Sequence, residues 1–300
     1  VRLTANILDG KALAEEIRGE VAMGIAEMQQ KHGITPGLAA VLVGDDPASA
    51  IYVRNKRRAC DEVGMVSNTI LLPSDSTNEQ VLAQVQALNN DPRFHGILVQ
   101  LPLPVQVDER LIMESLDPSK DVDGLHPFNV GKLVQGRADF VPGTPAGIQQ
   151  ILLRSGHDPA GANVVVCGRS DIVGKPMAIL LMQRADGANA TVTICHTRTK
   201  NMADITRQAD ILVSAIGSPN VITADMVKEG AVVIDVGINR VDDDSRKSGY
   251  RLVGDVNFEA VSEKASAITP VPGGVGPMTI AMLLVNTLTA TRLSIHRSGS

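Results

Sequence analysis

The sequence predicts an α/β protein of two domains, each built on a mostly parallel sheet. Three observations carry this. Short runs of Val, Ile and Leu alternate with longer amphipathic stretches almost from end to end, the pattern that βαβ units leave in a sequence. The alternation is interrupted once, by "DPSKDVDGLHPFNVGKL", a stretch dense in Asp, Gly and Pro that reads as loop and separates two series. With two Tyr, four Phe and no Trp, the core is left to Val, Ile, Leu, Met and Ala, as strands buried on both faces require. A length of 300 residues suits two such domains.

In the first series, "LAAVLVG" (Leu38 to Gly44) is a buried strand and "DDPAS" a turn offering Asp46 or Ser49 as helix N-cap. "IYVRNKRRAC" lies on the helix that follows, which ends near Gly64. "SNTILLP" and "HGILVQLPLP" are two further strands, with the helix "TNEQVLAQVQALNND" between them. A helix near "TPAGIQQILLRSG" opens the second series, whose strands are "NVVVCG", "TVTICH", "ILVSAIG" and "AVVIDVGIN". "RVDDDSRKSGYRLVGDV" reads as a polar hairpin or excursion, and "MTIAMLLVNTLTATRL" as a closing helix. No repeat, low-complexity tract or flexible linker is seen.

The formal net charge of -5 argues against a nucleic-acid surface, which needs clustered cations to neutralise phosphates. The basic run from Arg54 to Arg58 is too short to reverse this. "VRLTANILDG" lacks the apolar core of a secretory signal, and "MTIAMLLVNTLTA" reads as too short and too polar to span a bilayer. Cys60, Cys167 and Cys195 are odd in number and widely spaced, so neither a disulfide framework nor a structural zinc site is suggested. A cytoplasmic protein with no membrane or nucleic-acid partner is expected.

Tyr52 and Lys56 stand four apart and share one face of their helix, near the carboxyl end of the preceding strand. Ligands of open α/β sheets bind at that end. Lys56 is then either part of a solvated "RNKRR" face or a polar catalytic group, which requires burial or nearby cations to lower its pKa. Gln100 ends an otherwise apolar strand, so its amide is either satisfied by backbone or aimed into a site. In "KDVDG", Asp121 and Asp123 face opposite ways if extended; at most one points into a site, and no metal is suggested by their spacing.

"VVVCGRSDIVGKP" runs from strand through a glycine turn bracketed by Gly168 and Gly174 into a helix. That is the context of a dinucleotide site, although the GxGxxG fingerprint is incomplete and a plain structural turn would read alike. The next strand ends in His196, Thr197 and Arg198 where an NAD site places an acid for the ribose. With no carboxylate to repel a 2′-phosphate, and Arg169 in the turn to pair with one, NADP is favoured over NAD. "ITPVPGGVGPMT" sets Gly273, Gly274 and Gly276 among prolines, which suits close approach to a ligand or a crossover between domains.

In this order, "YVRNKRRACDEVG", "GILVQLPLP", "KDVDG", "GRSDIVGKP", "VIDVGINR" and "PVPGGVGPMT" resemble the signatures of the bifunctional methylenetetrahydrofolate dehydrogenase/methenyltetrahydrofolate cyclohydrolase family, from about Asp9 to about Leu293. The resemblance implies an α/β substrate domain completed by the C-terminal helix (1–143 and 274–300), a Rossmann-type NADP domain (144–273), and an active site in the cleft between them. It implies that Tyr52 stacks on the pterin, Lys56 is catalytic, Gln100 tunes Lys56 and Asp123 holds the pterin ring. By the same matching, Gly168, Arg169, Ser170, Thr197 and Ile238 line NADP. Val99, Leu101, Pro272, Gly273, Gly274 and Gly276 join the folate site, and the chain forms a homodimer. Gly143, Thr197 and Asn257 stand where the family commonly has cysteine, serine and aspartate. A shikimate-type dehydrogenase or a non-catalytic NADP-binding protein would share the two-domain plan but have no use for Tyr52 and Lys56.

Overall fold

The structure, a computed structural model, describes residues 5–246 and 249–298. The chain divides into two compact units. One comprises Glu15–Gly143 with Ile280–Ser300, the other the segment through Ala14 with Thr144–Thr279.

The chain opens with β1 (Asn6–Ile7) and α1 (Gly10–His32), whose 23 residues pass from one unit into the other. The smaller sheet then forms from β2 (Gly37–Val43), β3 (Val66–Leu72) and β4 (Gly96–Val99), all parallel, in the order β3-β2-β4. Every residue of the central strand β2 is buried, which accounts for its unbroken apolar run. Parallel neighbours demand crossover helices, and α2 (Pro47–Val63) and α3 (Asn78–Asn89) supply them. Asp46 caps α2, its carboxylate accepting from Ser49 N at 2.7 Å, and Gly64 ends it at φ 79° in the left-handed region. Thr77 and Gln80 form a reciprocal capping box on α3. Val41, Val81, Val85, Ile97 and Ile112 lie at the heart of this unit's core.

After β4 come α4 (Glu109–Glu114) and α5 (Pro127–Val134). The stretch read as loop therefore contains a helix. α5 starts only after the Asp, Gly and Pro cluster, with Pro127 in its first turn and His126 Nδ1 accepting from Phe128 N at 3.0 Å; the cluster hides its eight residues.

α6 (Gly143–Arg154) leads into β5 (Asn163–Cys167), α7 (Gly174–Leu181), β6 (Thr191–Cys195), α8 (Met202–Thr206), β7 (Ile211–Ser214) and β8 (Val232–Asp235). The excursion is an antiparallel hairpin, β9 (Asn239–Asp242) and β10 (Tyr250–Val253); Lys247 and Ser248 lie outside the described residues. α9 (Phe258–Ser262), β11 (Ala267–Ile268) and α10 (Val275–Ser298) complete the chain. The larger sheet has six strands, all parallel, in the order β1-β11-β8-β7-β5-β6. Strand order reverses at β5, because β6 lies on one side of it and β7 on the other.

The N-terminal segment departs from expectation. Assigned by sequence to the first domain, it instead adds β1 to the edge of the larger sheet, where Asn6 pairs with Ala267 and Ile7 with Ile268. A strand of two residues leaves no alternation to read. Residues 274–279, expected with the first domain, also belong to this unit: the Gly274 amide donates to Pro270 O at 2.8 Å.

α10 is longer than its apolar stretch suggests, and by length and composition alone it could cross a membrane. Burial gives its apolar character another cause: Ala281, Leu283, Leu284 and Leu288 are all at least nine-tenths buried in the protein.

Candidate functional site

In the smaller unit, α2 carries Tyr52 and, one turn later, Lys56. Strand β4 delivers Gln100, whose own amide donates to Val41 O at 2.9 Å and so extends the ladder by one residue. The Gln100 side chain is oriented from its nitrogen end. Nε2 donates to Leu101 O at 2.8 Å, which leaves Oε1 to accept from Lys56 Nζ at 3.1 Å. Burial pushes the Lys56 ammonium below the usual lysine range, with the Asp123 carboxylate pulling it partly back. Burial pushes Asp123 up to about 6; Lys56 opposes this rise and Asp121 adds to it. Each member of the pair is thus drawn toward its neutral form by desolvation and toward its charged form by the other. Tyr52 stays 41% exposed, presenting an open ring surface beside this group. Val99 is buried within β4 and contributes backbone position rather than a free side chain.

Asp121 and Asp123 separate as their spacing suggests. Asp121 is fully buried, and its Oδ2 accepts from His126 N and Asn129 Nδ2, both at 2.8 Å. It ties down the loop that presents Asp123. The same loop is held by α10, where Asn286 Nδ2 donates to Val122 O at 2.8 Å and Val141 O at 2.9 Å.

In the larger unit, the carboxyl ends of β5, β6 and β7 enclose a cavity of about 480 Å³. Gly168, Arg169, Ser170 and Thr197 line it together with Ala215 and Ile216, and none of its lining residues is acidic. This is the topological switch point of the sheet, where open α/β folds bind their ligands. Only glycine fits at 168: φ is +140°, and a Cβ there would lie 2.3 Å from Ala215 O. Ser170 Oγ accepts from Val173 N at 3.2 Å, which leaves its proton to donate outward. Arg169 and Thr197 are exposed and make no hydrogen bond or ion pair among the described residues, so their donors are available to a phosphate. A glycine cradle, an acid-free lining and three free donors fit NADP.

Ile238 is not in that cavity. It lines a second one, of about 140 Å³, with Pro272, Gly273, Gly274 and Gly276. The residue expected against the cofactor thus shares a wall with the loop expected against the folate.

Two buried carboxylates went unread in the sequence. Asp235 and Asp255 are buried carboxylates behind the loops that follow β7 and β8. The signal for them was the single glycine in each of "DVGIN" and "VGDV": a Cβ on Gly237 would lie 2.1 Å from Asp255 Oδ1, and one on Gly254 1.8 Å from Asp235 Oδ2.

Residues 8–123 match the catalytic domain of the tetrahydrofolate dehydrogenase/cyclohydrolase family, and residues 142–295 match its NAD(P)-binding domain. The chain belongs to this family. It is 55% identical to the bifunctional protein FolD of Prosthecochloris aestuarii over 284 residues, covering 94% of this chain and 96% of the relative. The FolD structure from Campylobacter jejuni superposes with a TM-score of 0.91 at 48% identity, covering 97% of this chain and 99% of that one. A Trypanosoma brucei FolD structure, solved with NADP cofactor and an inhibitor, gives 0.92 at 42% identity, covering 97% and 98%. Two of the three departures keep the chemistry of the commoner residue, and Gly143, which opens α6, does not. Thr197 keeps the hydroxyl of serine, and Asn257 caps α9 as an aspartate would, its Oδ1 accepting from Ala260 N at 3.4 Å.

Proposed function

We propose that the two constellations divide the family's two-step reaction between them. The enzyme oxidises 5,10-methylenetetrahydrofolate to the 5,10-methenyl form with NADP+ and hydrolyses that product to 10-formyltetrahydrofolate. Gly168, Arg169, Ser170 and Thr197 hold the cofactor, with Arg169 and Thr197 taking the 2′-phosphate. When bound, NADP+ accepts the hydride of the one-carbon bridge. Tyr52 stacks on the pterin and the Asp123 carboxylate accepts from its donor edge, so the protein's part in oxidation is chiefly orientation. Pro272, Gly273, Gly274 and Gly276 border the folate.

Hydrolysis asks more of the side chains. Water attacks the amidinium-like carbon of the methenyl cation, a proton leaves that water, and ring opening needs a proton on nitrogen. Lys56 moves it. The lysine can do so because burial lowers its pKa, and a bound substrate cation disfavours its charged form further. Gln100 Oε1 fixes where the amine points. The Lys56–Gln100 hydrogen bond at 3.1 Å, beside Asp123, is the observation that carries this reading.

Incubation with NADP+ and methylenetetrahydrofolate, followed by the methenyl chromophore, tests it: a transient chromophore should form and decay. No NADP+-dependent chromophore would overturn the reading. The three cysteines are free and buried, and they support a reducing, cytoplasmic setting. A homodimer is expected on the resemblance, and sedimentation of the purified protein checks it.

A further inference from the structure

We infer that Asp255 is a positioning residue for the cofactor: its buried carboxylate gathers the loop that follows β7 and so fixes one wall of the NADP cavity. The inference rests on the reading that NADP occupies the cavity lined by Gly168, Arg169 and Thr197.

The loop begins where β7 ends, at the switch point of the sheet, and its residues Ala215 and Ile216 line the cavity. Three successive amides of this loop turn inward onto one carboxylate. Ile216 N and Gly217 N donate to Asp255 Oδ2 at 2.6 and 3.1 Å, and Ser218 N donates to Oδ1 at 3.1 Å. Ser214 Oγ adds a longer bond to Oδ2 at 3.4 Å, and Asn239 Nδ2 donates to Oδ1 at 3.0 Å. All five groups are donors to the carboxylate. An ionised carboxylate is acceptor-only and satisfies them together, whereas an asparagine must turn an NH2 toward at least one N–H in either orientation.

Asp255 is itself held in place. Its own amide donates to Asp235 Oδ1 at 2.9 Å, and the same carboxylate takes Gly237 N and Val256 N, each at 3.0 Å. Through Asp255, Asp235 thereby connects the loop after β7 to the loop after β8, which carries Ile238. Gly237 and Gly254 leave the space that the two carboxylates fill. Because Asp255 is 0% exposed, it acts on the cofactor through the loop rather than by touching it. Without it, three adjacent amides lose their common acceptor, and the wall they support is free to turn.

The two activities separate this role from a general contribution to stability, since methenyl hydrolysis uses no cofactor. In the intact enzyme, Asp255→Asn should raise the KM for NADP+ about 10- to 100-fold, the range that one lost charged hydrogen bond gives. The rate of methenyl hydrolysis and the KM for methylenetetrahydrofolate should stay as they are. Amide exchange should quicken at Ile216, Gly217 and Ser218 while Val164 to Val166 stay protected. An unchanged KM for NADP+, or a parallel fall of both activities, overturns the inference. If the variant loses protection across the sheet, the pair Ser214→Ala with Asn239→Ala decides: it removes only the side-chain donors, and a smaller rise in the same KM is expected, no rise being fatal. Arg169→Ala is the control for the underlying reading. If it leaves the KM for NADP+ unchanged, the cofactor is elsewhere; if it raises that KM and Asp255→Asn does not, only the present inference fails.

Discussion

Gln100 has one orientation available, because Leu101 O claims its nitrogen, and from that the direction of the Lys56 amine follows. Removing the amine should therefore separate the two chemistries. Lys56→Met keeps the stem, and cyclohydrolase activity should fall ~10²–10⁴-fold, the usual worth of general acid–base catalysis. The variant should release methenyltetrahydrofolate, which its chromophore reports; hydrolysis at the normal rate would end the proton-shuttle assignment. Asp123 supplies a pH prediction. It accepts through both oxygens, and carries charge, only when ionised, and burial pushes its pKa up to about 6, so the KM for methylenetetrahydrofolate should rise as pH falls through that value. Asp123→Asn should flatten the profile. The sign for stability is opposite: the folded chain holds this proton more tightly than the ordinary value of 3.8 allows, so the contribution to stability is present below that value and gone above about 6. Asp123→Asn should therefore leave the neutral-pH melting temperature equal or higher while weakening substrate binding. Tyr52, Lys56, Gln100 and Asp123 were legible as candidates from their types and spacings, and the resemblance to the family supplied the role proposed for each. Asp235 and Asp255 were not legible, because an acid within an apolar run announces burial only once its donors are known, and most of these come from other segments.

At the scale of elements, the strands and crossover helices of both series could be read because each buries a periodic apolar face or a continuous apolar run. What escaped was whatever is short or fixed by tertiary partners. β1 and β11 have two residues each, too few for any period, and are fixed by their sheet neighbours, β1 by β11 and β11 by β1 and β8. α4 and α5 have six and eight residues and follow polar loops. α1 was missed despite 23 residues, although its buried Ala14, Ile17, Val21, Ile25 and Met28 recur at helical spacing and were legible. α10 illustrates how an element reaches a site it does not line. Its Asn286, buried, satisfies the carbonyls of Val122 and Val141 on either side of the Asp123 loop. Asn286→Leu keeps the bulk and strands both acceptors, each costing about 1–3 kcal/mol when left unpaired. Thermal or urea unfolding should report a loss within that range or up to twice it, with a rise in the KM for methylenetetrahydrofolate and none in that for NADP+. A variant as stable as the parent would show that other donors take over these carbonyls.

For the whole molecule, the path of the chain matters more than any one contact: it passes between the units at Ala14–Glu15, Gly143–Thr144 and Thr279–Ile280. The smaller unit is therefore finished only when the last segment has been made. Ending the chain at Thr279 removes Leu283, Leu284 and Leu288, each at least nine-tenths buried, along with Asn286. Burying a leucine is worth roughly 1.5–3 kcal/mol, so three of them amount to about 5–9 kcal/mol, comparable with the ~5–15 kcal/mol that holds a whole domain. The larger unit keeps its own share of the chain: one core cluster is drawn from Ala5, β5 to β8, β11 and the segments among them, and its buried Val275 and Met278 also precede the cut. Truncation after Thr279 should thus abolish methenyl hydrolysis and the smaller unit's melting transition while NADP+ still binds, as calorimetry would measure. A truncated chain that hydrolyses methenyltetrahydrofolate at the full rate would show that α10 is dispensable to the folate site. One that loses NADP+ binding as well would show that the two units fold as one.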